Sequence, residues 1–154
     1  MTSSETLEAL VKFCRDPWEF QQTFETPLKD LQSFVRTIIP AGLGITTASL
    51  TIDQVVFEPH ALIEMLNRYS IRAKYDRGVC LTAAGQQEVQ DLLATVLSDW
   101  IDFLFVPEPQ SFAIYADHDE FATFYAHTRI DLERVTKALS EHGFKAEPDY
   151  VRRF

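Results

Sequence analysis

The densest group of titratable side chains in the sequence is the run Asp117-His118-Asp119-Glu120. A histidine among three carboxylates could ligate a divalent cation, or the surrounding negative charge could raise its pKa. A metal site would need further ligands from distant parts of the chain, whereas Asp side chains favour turns by bonding the local backbone. We therefore predict no metal site and interpret these four residues as an exposed hairpin tip that contacts a partner.

A second group, His127-Thr128-Arg129, stands where a predicted strand gives way to a predicted helix. An imidazole, a hydroxyl and a guanidinium near free backbone N–H groups would suit a small anion or another small ligand. Thr128 is also a favourable N-cap, and Arg129 can pair with the acidic residues before it. The structural interpretation is favoured, and a ligand site at these three residues is kept as an alternative.

Negative charge is concentrated in one stretch of a chain whose net charge is −9. Between Arg77 and Arg129 there is no Lys or Arg, whereas eight carboxylates occur there: Glu88, Asp91, Asp99, Asp102, Glu108, Asp117, Asp119 and Glu120. If these side chains share one surface, that surface attracts cationic partners and repels polyanions. The same charge would also keep a protein dispersed without any partner.

The sequence carries no motif that identifies a catalytic or cofactor site. A nucleophile elbow, HExxH, CxxC and a phosphate-binding glycine loop are all absent. Cys14 and Cys80 stand far apart and match no metal or redox spacing. We predict no catalytic residues, no metal and no cofactor, and an enzyme is the less favoured class.

The elements that would position these groups are clearest at the C-terminal end. The β-prone runs 111–116 and 121–127 flank the acidic tip and predict a hairpin. A register with Ala116 opposite Phe121 repeatedly sets a large side chain against a small or medium one. Thr128 then caps a predicted helix, after which residues from Pro148 onward are predicted to return as an edge strand.

Helical patterns dominate the first forty residues. Ser3 or Ser4 can cap a helix ending near Asp16, a short turn follows through Phe24, and Thr26-Pro27 opens another helix. In the middle, alternation predicts a strand or hairpin over 45–57, and helical spacing predicts helices over 59–69 and after Thr82. Residues 100–106 read as a central strand.

These patterns predict an α+β fold with a helical N-terminal third, a mixed middle and a C-terminal β-hairpin–helix–strand unit. A mainly antiparallel sheet would pack with the helices. A length of 154 residues favours a single α+β domain over residues 1–154. No run approaches the roughly 18 apolar residues of a membrane span, and the first residues lack signal-peptide features, so we expect a cytoplasmic protein that does not contact membranes.

The stretch from Tyr75 to Gly85, YDRGVCLTAAG, resembles the wing and the following helix start of winged-helix transcription regulators. The resemblance implies that the helix over 59–69 is a recognition helix, with phosphate contacts from Arg68, Arg72, Lys74 and Arg77. The sequence departs from the family pattern at 45–57, where strand-like residues replace the expected helix, and in its overall acidity.

Three functions follow, in order of preference. The first is a non-catalytic acidic protein-binding module of the inhibitor, immunity or adaptor type, whose carboxylate-rich surface meets a basic protein surface. The second is a winged-helix-like nucleic-acid-binding regulator that uses the basic segment 68–77. The third is a small-ligand or enzymatic domain with a site near His127 and Arg129. The preferred function predicts a protein partner and no nucleic acid, and it leaves self-association open.

Overall fold

The computed structural model of the protein describes residues 1–109 and 111–154, which form five helices and a seven-stranded sheet. The strands are β1 (Thr2–Glu5), β2 (Phe20–Glu25), β3 (Thr47–Gln54), β4 (Val79–Ala84), β5 (Asp102–Glu108), β6 (Phe112–Ala116) and β7 (Phe121–Ala126). The helices are α1 (Glu8–Arg15), α2 (Leu31–Ile38), α3 (His60–Arg68), α4 (Gln86–Ser98) and α5 (Arg129–Glu141). Every strand pair is antiparallel, in the order β1-β4-β3-β5-β6-β7-β2. Within the described residues, no helix combines the length and apolar character needed to cross a membrane.

The two faces of the sheet are covered differently. On the core face, alternate strand residues pack against α2, α3, α4 and α5, and the largest fully buried side chains there are Phe24, Phe34, Phe103, Phe105 and Phe124. On the opposite face, which we call the outer face, a smaller cluster joins the sheet to α1: Leu10, Phe13, Leu104, Ala113, Tyr115 and Tyr125. One short helix leaves much of the outer face to other parts of the chain.

The predicted helical N-terminal third is wrong. The first element is the strand β1, and residues predicted as a helical turn form the edge strand β2. β2 pairs with β7 along its whole length, and the Thr23 and Thr123 hydroxyls, 100 residues apart in sequence, lie 2.8 Å apart. This long-range pairing supplies backbone hydrogen bonds that override the local helical preference.

The predicted strand at the C-terminal end is also wrong, since residues 148–154 adopt no strand. The chain meets β2 earlier, where Glu25 N–H donates to the Lys145 carbonyl (2.9 Å) and Glu147 N–H donates to the Thr23 carbonyl (2.8 Å). Pro148 follows at once and has no N–H to continue the ladder. Residues 148–154, which we call the Arg152 segment, instead contact the outer face.

The predicted helix over 59–69 is confirmed as α3, and the long helix that follows begins later than expected. Thr82 does not cap it, because β4 continues to Ala84 and Gly85 takes the N-cap position with φ of 83°. β4 lies between β1 and β3 in the sheet. The stretch that resembles a winged-helix wing therefore consists of a loop, the interior strand β4 and the N-cap of α4.

The hairpin is confirmed as β6 and β7, but its predicted register is wrong by one residue. Ala116 lies opposite Ala122, and Ile114 lies opposite Phe124. Asp117 N–H donates to the Phe121 carbonyl at 3.0 Å, so this pair closes a loop of three residues, 118–120, instead of the four residues, 117–120, that the predicted register implies. The predicted cap of α5 is confirmed, since Asp131 N–H donates to Thr128 Oγ1 at 3.1 Å.

Candidate functional site

Asp117 holds the turn of the β6–β7 hairpin. Its Oδ1 accepts hydrogen bonds from Asp119 N–H (3.0 Å) and Phe121 N–H (3.2 Å), and its side chain is buried. Its Oδ2 forms an ion pair with Arg152. This carboxylate is therefore committed to the turn and to the Arg152 segment, and it is not free at the surface as the sequence suggested.

His118 is bound to Asp102 at the start of β5. Asp102 Oδ1 accepts the His118 backbone N–H at 2.8 Å and lies 2.7 Å from the ring Nδ1. The hydrogen bond to Asp102 raises the pKa of His118 above its ordinary value. Burial lowers this pKa, and the negative charges of Asp102 and Asp119 raise it further. The tip is thereby fastened to a neighbouring strand.

Asp119 and Glu120 are the exposed acidic residues of the tip. The Asp119 side chain is 76% exposed, and its Oδ1 lies 3.9 Å from His118 Nε2. Glu120 is exposed with φ of 70°, and its carbonyl accepts a hydrogen bond from Thr26 N–H at 2.8 Å. Of the four predicted partner-binding residues, these two present their carboxylates to solvent.

A chain of polar contacts continues from the tip across the outer face. Tyr115 Oη donates to Asp53 Oδ2 at 2.7 Å, and Arg77 Nε donates to Asp53 Oδ1 at 2.8 Å. The Arg152 guanidinium lies 4.6 Å from the centre of the Tyr115 ring. Burial, followed by the bond to Asp53, raises the pKa of Tyr115, so this hydroxyl stays protonated as a donor.

Sequence reasoning did not single out Asp53, Tyr115 or Arg152 as site residues. Tyr115 and Asp53 are separated by 62 residues, and Arg152 lies on a segment that was predicted to be a strand. No local spacing connects them.

The predicted group at residues 127–129 has separate partners in the structure. His127 stacks on Trp18, with ring centres 4.3 Å apart at 12°, and its Nε2 lies 3.6 Å from Asp16 Oδ2. Thr128 caps α5, while the Arg129 guanidinium lies 5.4 Å from the centre of the Phe20 ring. Each side chain therefore has a local structural role, and joint ligand binding stays a prediction.

A cavity of about 250 Å³ opens on the outer face beside α1. Its apolar walls are Phe13, Trp18, Leu104 and Val106, and Lys12, Asp16 and Ser49 also line it. Through Trp18 it adjoins His127. This cavity lies next to the aromatic cluster of the outer face, since Phe13 belongs to both.

The predicted acidic stretch is spread over several parts of the fold. Glu88 Oε1 accepts from the Met1 amine (3.1 Å), and Asp99 accepts from the first N–H groups of α3, including Leu62 N–H (2.7 Å). Asp102 and Glu108 stand at opposite ends of β5, about 20 Å apart for an extended strand. The acidic residues that cluster at one place are those of the hairpin tip.

The basic segment 68–77 combines exposed and paired side chains. Arg68, Arg72 and Lys74 are exposed, whereas Arg77 bonds to Asp53 while its side chain remains 68% exposed. Within the described part of the chain, no group of three or more His, Cys, Asp or Glu residues is arranged to hold a metal ion.

No protein-family model matches the chain, and comparisons with curated proteins and with solved structures find no significant similarity. The functional argument therefore depends on the geometry of the chain itself. That geometry offers carboxylates on a fixed hairpin, aromatic rings on the outer face and an adjoining apolar cavity, which are groups that can contact cationic and aromatic side chains.

Proposed function

We propose that the protein is a non-catalytic binding module for another protein, and that the hairpin tip is the centre of its binding surface. The observation that carries this proposal is the contrast within the tip. Asp117 and His118 fix the backbone through partly buried hydrogen bonds, while the neighbouring Asp119 and Glu120 side chains are exposed. Exposed charges on a fixed backbone lose little conformational freedom when a partner binds.

A partner with a basic surface fits this arrangement. Two exposed carboxylates on a projecting turn, in a chain of net charge −9, accelerate encounter with a cationic protein. Phe121 and Tyr150 stack at 4.6 Å beside the tip and provide aromatic contact area. The proposal covers inhibitor, immunity and adaptor types, which share this mode of recognition.

The test uses two variants that change net charge equally. The tip variant carries Asp119→Asn and Glu120→Gln, and the control carries Glu64→Gln and Glu133→Gln, which are exposed on helices of the core face. Proteins retained from lysate by each tagged form are quantified, and association of any candidate is then measured against salt concentration. We expect the partner to be lost or its on-rate to fall about tenfold with the tip variant alone.

The two variants also define the contrary outcome. Equal retention and equal on-rates for both would remove the tip from the binding surface. Equal losses with both would show that the partner responds to total charge rather than to the hairpin.

A further inference from the structure

The Arg152 segment lies on the outer face in the manner of a bound peptide. It has no regular secondary structure, and Arg152 is fixed through both its backbone and its side chain. We propose that this face is a peptide-recognition groove for segments with arginine followed two residues later by an aromatic residue, and that the chain's own Arg152 and Phe154 occupy it until a partner displaces them. The inference rests on the proposed function, because it names the chemistry of the partner.

The backbone of the segment is held by one side chain of β2. Gln21 Nε2 donates to the Arg152 carbonyl at 3.2 Å, and Arg152 N–H donates to Gln21 Oε1 at 3.0 Å. A side-chain amide that pairs with both polar groups of one residue binds any peptide in the same extended form. This contact fixes register without selecting side chains.

Arginine is selected by the Tyr115 ring and Asp117. The guanidinium lies over Tyr115, Nη2 forms an ion pair with Asp117 Oδ2, and the Arg152 side chain is 13% exposed. The other Asp117 oxygen is fixed by the turn, so this carboxylate is positioned before any arginine arrives. A planar guanidinium suits a ring and a carboxylate together better than a lysine ammonium does.

The aromatic residue is selected two positions later. The Phe154 ring centre lies 5.2 Å from that of Phe13, 5.0 Å from that of Tyr115 and 6.4 Å from that of Tyr125. Phe154 nevertheless remains 58% exposed. The 250 Å³ cavity lined by Phe13 begins beside this contact, so a longer or larger ligand can bury more surface than the chain's own segment does.

The occupying segment is suited to displacement. Arg152 Nε is buried without a hydrogen-bond partner among the described residues, and Val151 and Phe154 are largely exposed. A segment with few backbone bonds and exposed side chains opens at low free-energy cost. Its attachment in cis gives it an effective concentration on the order of millimolar, against which a partner segment must compete.

The test uses a synthetic peptide of residues 148–154, PDYVRRF, and a chain truncated after Glu147. Fluorescence anisotropy of the labelled peptide measures its binding to the truncated chain. We expect a dissociation constant on the order of 0.1 mM or tighter, and binding about tenfold weaker to the full chain, whose groove is occupied. Peptides with alanine in place of Arg152 or Phe154 should bind at least about tenfold more weakly. The matched control replaces Arg153, which is exposed, and should bind within about twofold.

Several outcomes would overturn the inference. Equal weakening by loss of Arg152 and of Arg153 would show that charge alone is recognised, and absence of peptide binding by a folded truncated chain would exclude a groove. If the truncated chain does not fold, the peptides are titrated instead into the full chain carrying Arg152→Ala and Phe154→Ala. The same differences in peptide affinity then support or overturn the inference. A concentration-dependent dimer of the full chain that disappears with Arg152→Ala would assign the groove to a second copy instead of a separate partner.

The tip variant separates this inference from the proposed function. Asp119→Asn with Glu120→Gln leaves every described contact of Arg152 and Phe154 in place, so the peptide should still bind within about twofold. Peptide binding without any tip-dependent partner would therefore contradict the proposed function alone. A tip-dependent partner without peptide binding would contradict the groove alone.

Discussion

His118 and Asp102 are joined through one oxygen atom, Asp102 Oδ1, which lies 2.8 Å from the His118 backbone nitrogen and 2.7 Å from its ring Nδ1. The contact connects the hairpin tip to the first residue of β5. Because one of the two bonds involves a titratable ring, the attachment of the tip depends on pH.

We predict that this pair stabilises the fold more at low pH than at high pH. The pKa of His118 is raised in the folded state, so its contribution is complete below the unfolded-state pKa of about 6.5 and is lost as pH rises through the folded-state value. Urea unfolding of wild type and His118→Gln should differ more at about pH 5.5 than at about pH 8.5. A difference that does not change with pH, or that His60→Gln reproduces, would contradict this.

Asp117 should be the most important carboxylate of the tip for stability. Asp117→Ala removes two turn bonds and leaves Arg152 without its counter-charge, and we expect a loss of about 2–4 kcal/mol. Asp119→Ala, at an exposed position two residues away, should change stability by less than about 0.5 kcal/mol. Comparable unfolding midpoints for the two variants would show that the turn does not depend on Asp117.

The core face should respond strongly to truncation of Phe124. This side chain is fully buried, lies opposite Ile114 and contacts the rings of Phe24 and Phe112. Phe124→Ala should destabilise the fold by about 3–5 kcal/mol through lost burial and a residual cavity. Phe57→Ala, at a largely exposed phenylalanine, is the control and should cost less than about 0.5 kcal/mol.

His127 is expected to act through its stack on Trp18 rather than through a bound ligand. A double-mutant cycle of His127→Ala and Trp18→Ala should give a coupling of about 0.5–1.5 kcal/mol. Calorimetric titration with phosphate, zinc and magnesium should show no binding. Binding that is seen in wild type and lost in His127→Ala without a change in melting would establish a ligand site there.

Duplex DNA should not bind measurably at physiological salt. Phosphate neutralisation supplies most of such affinity, and the segment 68–77 acts against a net charge of −9 while Arg77 is bonded to Asp53. A gel-shift series at low salt measures the affinity for duplex DNA. The variant with Arg134→Ala and Lys137→Ala, both on α5, is the control. Micromolar binding that Arg72→Ala and Arg77→Ala abolish would place the nucleic-acid function first.

The parts of the fold that local chemistry determines could be predicted from the sequence. The hairpin follows from two β-prone runs around an acidic turn, and α5 begins at Thr128 because its hydroxyl accepts from Asp131 N–H. The strand β2 could not be predicted, because its pairing with β7 outweighs the local pattern. The register was missed because Asp117 pairs with Phe121 and bonds within the turn, which moves the partner of Ala116 from Phe121 to Ala122.

The candidate site was predictable in its acidic tip but not in the residues that surround it. Asp117, His118, Asp119 and Glu120 are adjacent in sequence, so their proximity required no knowledge of the fold. Gln21 and Arg152 are 131 residues apart, and one strand pairing and one irregular segment bring them together. Distances of that kind are set by tertiary packing and leave no periodic signal in the chain.

The bridge between residues 145–147 and β2 also bears on aggregation. An unpaired sheet edge is a template on which other chains can add strands. At β2 the backbone groups of Glu25 and Thr23 are already bonded, and Lys145 Nζ lies 2.6 Å from Glu25 and 2.8 Å from Glu147, which places charges along that edge. The opposite edge, β1, is four residues long. Both borders of the sheet are thus poor starting points for fibril growth, so the protein can keep the charged hairpin tip exposed at high concentration.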